Sequence, residues 1–494
     1  MRVDGYDRAV DAALTVAREA GLYVILRIQD AVERRLVVVD GGVERQRVTR
    51  TLGLAVHAFA PDGAIGFSSI DDVTPDGARE AVRRAGKMAN AARRVDAVRS
   101  TAPFELSAAG RVRLGQGDGA DPISLTSISL LLSDAQNDLS DLDVGADRAI
   151  RTALTATDEE WRVVRSDGTD LGFSTSRASV RHEASGRLDG KIVRAVANVN
   201  GADVGALLGA TALERLARRL RRSASDVVAA SSAPPPRAGS YRLVLDYALA
   251  KGLAHEAIGH LCESDVDGSV LMRGGRLRVG ERVARETVSI VDGPLPGDYA
   301  QQPYSANGLM RETVRLVDRG VLAGGLGDPF TPAESNIPMR SADRVGGFRD
   351  RPMPRMSNIR VEVADAAPLA VDPSILTPED AMLALRQAGL LDAGVPTLYL
   401  RGYRGGQAHP RRGDFIFAAD AAFELTDGGA PRSAASFSGL AERALASIVA
   451  GIGPLCTDGM GACQKEGSTV PCSGGSHALL VLDPDPESIV TAAR

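Results

Sequence analysis

Cysteine, charge imbalance and long apolar runs are all scarce in this chain, and each scarcity removes a class of protein. Four cysteines, unevenly spaced along 494 residues, do not make the framework that staples small secreted domains. They fit a reducing compartment in which a thiolate is available to a metal. The 58 basic and 63 acidic residues leave a net charge of −5, so no global basic field recommends nucleic acid as a partner. No apolar run approaches the roughly 18 residues of a membrane span. The first residues, Met1-Arg2-Val3-Asp4-Gly5, lack the basic-then-apolar layout of a signal peptide, so the expected location is the cytoplasm, away from membranes. No internal repeat stands out, and the length suits two domains with full cores.

Histidine is scarce too, with six in all, yet two of them fall in His255-Glu256-Ala257-Ile258-Gly259-His260, an apolar, helix-like segment. Two imidazoles beside a carboxylate are the chemistry of a catalytic zinc site. The usual zincin motif separates its histidines by four positions, about 40° around a regular helix, so both rings share a face. Here the separation is five. In a regular α-helix that turns the second ring roughly 140° away, and both rings reach one metal only if the helix changes. A one-residue π-bulge restores convergence, and Gly259 is a permissive place for it. The other histidines read as structural. His182-Glu183 lies in an alternating polar segment and reads as an exposed pair, His57 as an ordinary strand residue, His409 as a loop residue and His477 as part of a Gly-rich stretch.

The segment His255 to His260, with Glu263 and Asp265 after it, resembles the HExxxH motif of the TldD/PmbA metallopeptidases. Three more stretches resemble that family in the same order: Arg351-Pro352-Met353-Pro354-Arg355-Met356-Ser357-Asn358, then Gly405-Gly406-Gln407 before Phe415-Ile416-Phe417, then Gly461-Ala462-Cys463-Gln464-Lys465-Glu466-Gly467. A catalytic zinc keeps three protein ligands and an open position. The resemblance implies that Cys463 joins His255 and His260. Cys262 is the rival by proximity, although two positions on from a helical ligand points elsewhere. Cys456 and Cys472 read as small buried residues. By the same resemblance Glu256 is the carboxylate that activates the metal-bound water, as general base and then general acid.

Along the chain, alanines and valines from Ala9 to Ala17 recur at helical spacing until Gly21. Strands are predicted at Tyr23 to Ile28, Leu36 to Val39, Val43 to Arg47, Leu52 to Phe59 and Ala64 to Ser68, and Thr74-Pro75 opens a second helix. An antiparallel region follows from Trp161 to Asn198. A basic helix, Leu213 to Leu220, carries leucines on one stripe and arginines on a solvated face. Residues 223–239, with Pro234-Pro235-Pro236, read as a linker between an N-terminal domain, 1–222, and a C-terminal domain, 240–494. The second domain holds the His helix from about Asp246 to Leu261, and helices near Pro378 to Ala388 and Leu440 to Val449. The expected fold is α+β: an N-terminal sheet with flanking helices, then a strand-rich, barrel-like catalytic domain.

The resemblance implies a zinc-dependent peptidase acting in an enclosed cavity on unfolded or short peptides, including modified precursors. It also implies a homodimer, or a heterodimer with a paralogue lacking the motif. Two departures bear on substrate choice: Ser305-Ala306-Asn307-Gly308 stands where many members have an acidic Asp-Asp-Glu-Gly turn, and Gln464 replaces the glycine after the cysteine. A specialised amidase for a small or modified molecule is therefore a second reading. A catalytically silent partner subunit is a third, opposed by the retention of His255, Glu256, His260 and Cys463.

Overall fold

The computed structural model describes residues 2–92, 104, 110–115, 124–266, 268–331, 335–392, 394–427, 429–433, 435–486 and 489–492. Seven strands form the N-terminal sheet, in the order Ile65–Ile70, Gly42–Phe59, Tyr23–Val39, Ala146–Arg165, Asp170–Leu188, Arg111–Leu114, with Lys191–Gly201 also paired to Asp170–Leu188. Two helices, α1 (Asp7–Glu19) and α2 (Pro75–Ala92), cover one face through small side chains such as Ala9, Ala13, Ala78, Ala81 and Ala85. The sheet and α2 touch closely: a Cβ on Gly66 would lie 1.8 Å from the Ala85 carbonyl.

The strands are longer than the sequence pattern predicts. Tyr23–Val39 runs unbroken through polar residues that read as a gap, and Gly42–Phe59 does the same opposite it. Cross-strand charge pairing replaces the missing apolar alternation. Asp30, fully buried, accepts two hydrogen bonds from Arg50 at 2.9 and 2.7 Å.

Helix α3 (Ala210–Ser231) also exceeds its predicted end at Leu220 and occupies the first nine residues of the expected linker. Ala224, Val227 and Ala230 continue the buried stripe of Leu213, Leu216 and Leu220. Asp226 stays within this stripe because Arg222, one turn back, and Arg401, at 3.2 Å, both pair with it. The irregular connection shrinks to residues 232–241, around the three prolines.

Beyond it lies a mixed twelve-stranded sheet. Its path runs Val321–Leu322, Val314–Asp318, Val288–Asp292, Asn358–Val363, Ser468–Leu482, Arg242–Asp246, Thr397–His409, Asp414–Glu424, Ala435–Leu440, Ile489–Ala492. Ile448–Lys465 pairs with Ser468–Leu482 as a long hairpin off this path. Among the described residues the two ends of the path do not pair, so the sheet is open where a barrel-like form was expected. Helices occupy Pro378–Gln387 and Ala441–Ser447, near the predicted positions. Among the described residues no helix is long and apolar enough to cross a membrane.

His182 corrects the sequence reading, because it is fully buried in Asp170–Leu188 while Glu183 pairs with Arg194 outside. Its Nδ1 lies 2.7 Å from the Thr152 hydroxyl, which itself accepts from Gln136 Nε2 at 2.8 Å. At this depth His182 stays neutral. Burial depresses its pKa to about 4. An unfolded histidine takes up its proton near pH 6.5 and this one only near 4, so stability falls as the pH drops through that window, by about 3 kcal/mol. Urea unfolding of His182→Gln at both ends of the window is expected to lack this component; a pH slope identical to that of the wild type would contradict it.

Candidate metal centre

Strand Arg242–Asp246 runs directly into helix α4 (Tyr247–Ala254), and Asp246 ties that junction together. One carboxylate oxygen caps the helix by accepting from Leu249 N–H at 2.9 Å, and the other accepts from Gly402 N–H at 2.9 Å. The apolar α4 buries Leu249, Ala250, Leu253 and Ala254 in the core, which fixes the rotation of the next helical turn. From His255 to Gly259 the helix widens into a π-turn, with the His260 N–H bonded to the His255 carbonyl, before a short 3₁₀ turn at His260–Cys262. The five-residue spacing needs that extra residue in the turn. As a result the two imidazoles meet, 4.8 Å between ring centres and 89° between planes. Gly259 makes room for Met356 from the Arg351 to Asn358 segment, since a Cβ there would lie 1.9 Å from the methionine sulfur.

Cys463 reaches the pair from strand Ile448–Lys465, two residues past a register shift at Gly459 to Gly461. Its Sγ lies 3.2 Å from His255 Nε2 and 3.4 Å from His260 Nε2. The ligand atoms of His255, His260 and Cys463 all lie within 4.8 Å of one another. A tetrahedral ion with nitrogen at about 2.0 Å and sulfur at about 2.3 Å spaces those donors roughly 3.5 Å apart, so the residues fit such a group. Burial alone would raise the Cys463 thiol, but hydrogen bonds and charge from the two imidazoles outweigh it and bring the thiol down to about 4. Cys262 is instead buried in the apolar core and pushed far up. Burial also raises Cys456 to about 11 and Cys472 to about 12.

Three supporting groups stand in the motif stretches, but the sequence assigned them no role. Glu263, fully buried, accepts from His260 Nδ1 at 3.1 Å, which leaves Nε2 to face the thiol. Lys465 donates to the same Glu263 oxygen at 2.8 Å and to Asp265 at 2.6 Å. Burial works to raise Glu263, but His260 and Lys465 prevail and hold it at about 2. Arg355, also fully buried, donates to the Cys463 carbonyl at 2.5 Å and so fixes the strand that carries the thiol. Glu256 leaves the π-turn on another side and lies against Gly406, where a Cβ would come within 3.2 Å of its Cγ.

The remaining histidines lie outside this group. His57 is buried in its strand beside Phe67, and His409 is exposed at the end of Thr397–His409. His477 is a buried brace whose Nε2 accepts from Val363 N–H at 3.1 Å. Gly405 to Gln407 lie within a strand. The Ser305 to Gly308 turn packs against Val163 and Leu171 of the N-terminal sheet.

Comparison with known proteins gives the centre its context. Residues 24–89 match a family model described as PmbA/TldA metallopeptidase domain 1, and residues 238–455 match the PmbA/TldA metallopeptidase C-terminal domain. The chain belongs to the PmbA/TldD metallopeptidase family. A curated metalloprotease from Methanothermobacter thermautotrophicus is 27% identical over 465 residues, covering 93% of this chain and 94% of that protein. A zinc metalloprotease TldD homolog from Saccharolobus solfataricus is 30% identical over 137 residues, 27% of this chain and 30% of that protein. Among solved structures, TldE from Thermococcus kodakarensis superposes with a TM-score of 0.68 at 15% identity, covering 98% of this chain and all of the other. A putative modulator of DNA gyrase from Bacteroides thetaiotaomicron gives 0.70 at 14% identity over the full length of both chains. The C-terminal family match ends at residue 455, short of Cys463, whose place beside the histidines is read from geometry.

If Gly259 exists to seat Met356, Gly259→Ala overpacks the π-turn and is expected to cost about 1–3 kcal/mol in chemical denaturation. Unchanged stability would show that the contact yields freely.

Proposed function

We propose that this metallopeptidase is zinc-dependent and hydrolyses amide bonds of unfolded or short peptides, modified precursors included, with His255, His260 and Cys463 as metal ligands and Glu256 as the proton-transfer group. The observation that carries the reading is the convergence of two imidazoles and a thiol across a π-turn, with a carboxylate on the residue after the first histidine. Zinc, when bound, supplies Lewis acidity. Glu256 accepts at its carboxylate the proton of the attacking water and passes it to the leaving amine nitrogen.

Substrate placement follows from the strand beside Glu256. Thr397–His409 pairs with Arg242–Asp246 only from Thr397 to Leu400, while its other side pairs with Asp414–Glu424 as far as His409. Past Leu400 no strand pairs on that side among the described residues; Gly402 N–H is taken by Asp246, and Gly406 further on abuts Glu256. An extended peptide adding itself there gains main-chain hydrogen bonds that are tolerant of side chains. A cavity of about 790 Å³ reaches Gly402, Tyr403 and Arg404 of this strand, while His255, Glu256, His260 and Cys463 do not line it. The enzyme works in the cytoplasm as a homodimer or with a motif-less paralogue.

Elemental analysis is expected to find about one zinc per chain, lost in Cys463→Ala and kept in Cys262→Ala; the reverse pattern would name the other thiol. Glu256→Gln is expected to keep zinc and fold while losing roughly 10²- to 10⁴-fold in rate, and unchanged hydrolysis would remove the mechanism. Incubation with an unbiased peptide library, with and without a co-expressed paralogue, is expected to give internal cleavage of many unrelated extended peptides by mass spectrometry. Turnover of a small acylated amine with no peptide cleavage would favour the amidase.

A further inference from the structure

Tyr403 has no part in the proton transfer assigned to Glu256, yet the site is built around it. A register shift between Tyr403 and Gly406 bends strand Thr397–His409 and re-aims the tyrosine toward the His helix. Its ring lies over Gly252, where a Cβ would come within 2.6 Å of Cε2. Gly252 and Glu256 are four residues apart on one helical face, so a ring lying along that face brings its hydroxyl to the carboxylate. The phenol oxygen is 3.4 Å from Glu256 Oε1. A second glycine permits the meeting, because a Cβ on Gly406 would sit 3.0 Å from the phenol oxygen as well as 3.2 Å from Glu256 Cγ.

We propose that Tyr403 is a positioning residue for hydrolysis: its hydroxyl donates to Glu256 Oε1 and turns the carboxylate so that Oε2 takes the proton from the attacking water. The phenol keeps its own proton throughout; the water proton goes to Oε2 and then to the leaving nitrogen. Burial, and after it the Glu256 charge, hold the phenol far above its ordinary range, which keeps it a donor. Among the described residues no side chain bonds Oε2. The long hydrogen bond suits a free enzyme whose catalytic contacts tighten on substrate.

This inference rests on the peptidase reading, so wild type and Glu256→Gln are assayed first, on a peptide recovered from the library. No turnover by wild type, or turnover untouched by Glu256→Gln, would remove that reading and this one with it. With both in place, Tyr403→Phe keeps the ring and deletes only the donor. It is expected to lower kcat about 10-fold or more with KM within about twofold and zinc content unchanged. In the Glu256→Gln background the same substitution is expected to change the residual rate less than about twofold, since its effect passes through the carboxylate. An unchanged kcat, a change in KM alone, loss of zinc, or an equal loss in both backgrounds would overturn Tyr403 while leaving the peptidase reading intact.

Discussion

Two imidazoles five positions apart can face one thiol only where the helix between them holds an extra residue in its turn, and most of the C-terminal domain is arranged to make that turn possible. The apolar α4 anchors the start of the turn in the core, and Asp246 fixes both that helix and the neighbouring strand through its two oxygens. Met356 fills the space over Gly259, Gly406 lets the strand approach Glu256, and Arg355 holds the backbone of Cys463. Segments separated by more than 200 residues in sequence thus form one contact set around the π-turn. Each motif has a physical reason: one supplies the turn, one packs it, one borders the carboxylate, and one brings the sulfur.

The charges around the turn form a chain. A buried thiolate is costly in isolation, and here two imidazoles offset the cost. Outward from His260 the network continues through the Glu263 carboxylate, the Lys465 ammonium and the Asp265 carboxylate. Lys465 lies two residues from Cys463 on the same strand and pairs with the carboxylate that orients His260, which couples the positions of two donors. Breaking one partner of such a buried network exposes the others to an unpaired charge.

The histidine spacing, the need for a widened helix and the α+β order were legible in the sequence because they rest on local periodicity. What lay beyond reach depends on tertiary partners. Asp30 breaks the apolar alternation of its strand, and ion pairs with Arg50 on the neighbouring strand and Arg2 from the N-terminal turn accompany its burial. Asp226 falls in the stretch read as a linker, and its burial in a helix depends on Arg401, far along the chain, being brought against it. His182 reads as exposed because its neighbours alternate with polar residues, whereas the sheet register buries it with Nδ1 against the Thr152 hydroxyl. Glu263 and Lys465 stand in the motif stretches and Tyr403 just before one, but their work is defined by what they touch across strands.

Zinc K-edge X-ray absorption on the loaded protein tests the centre most directly, since it counts sulfur against lighter ligands without assuming any mechanism. One sulfur at about 2.3 Å with nitrogen and oxygen neighbours at about 2.0–2.2 Å is the expected shell. A shell with two sulfurs, or with none, would contradict a centre made by His255, His260 and Cys463.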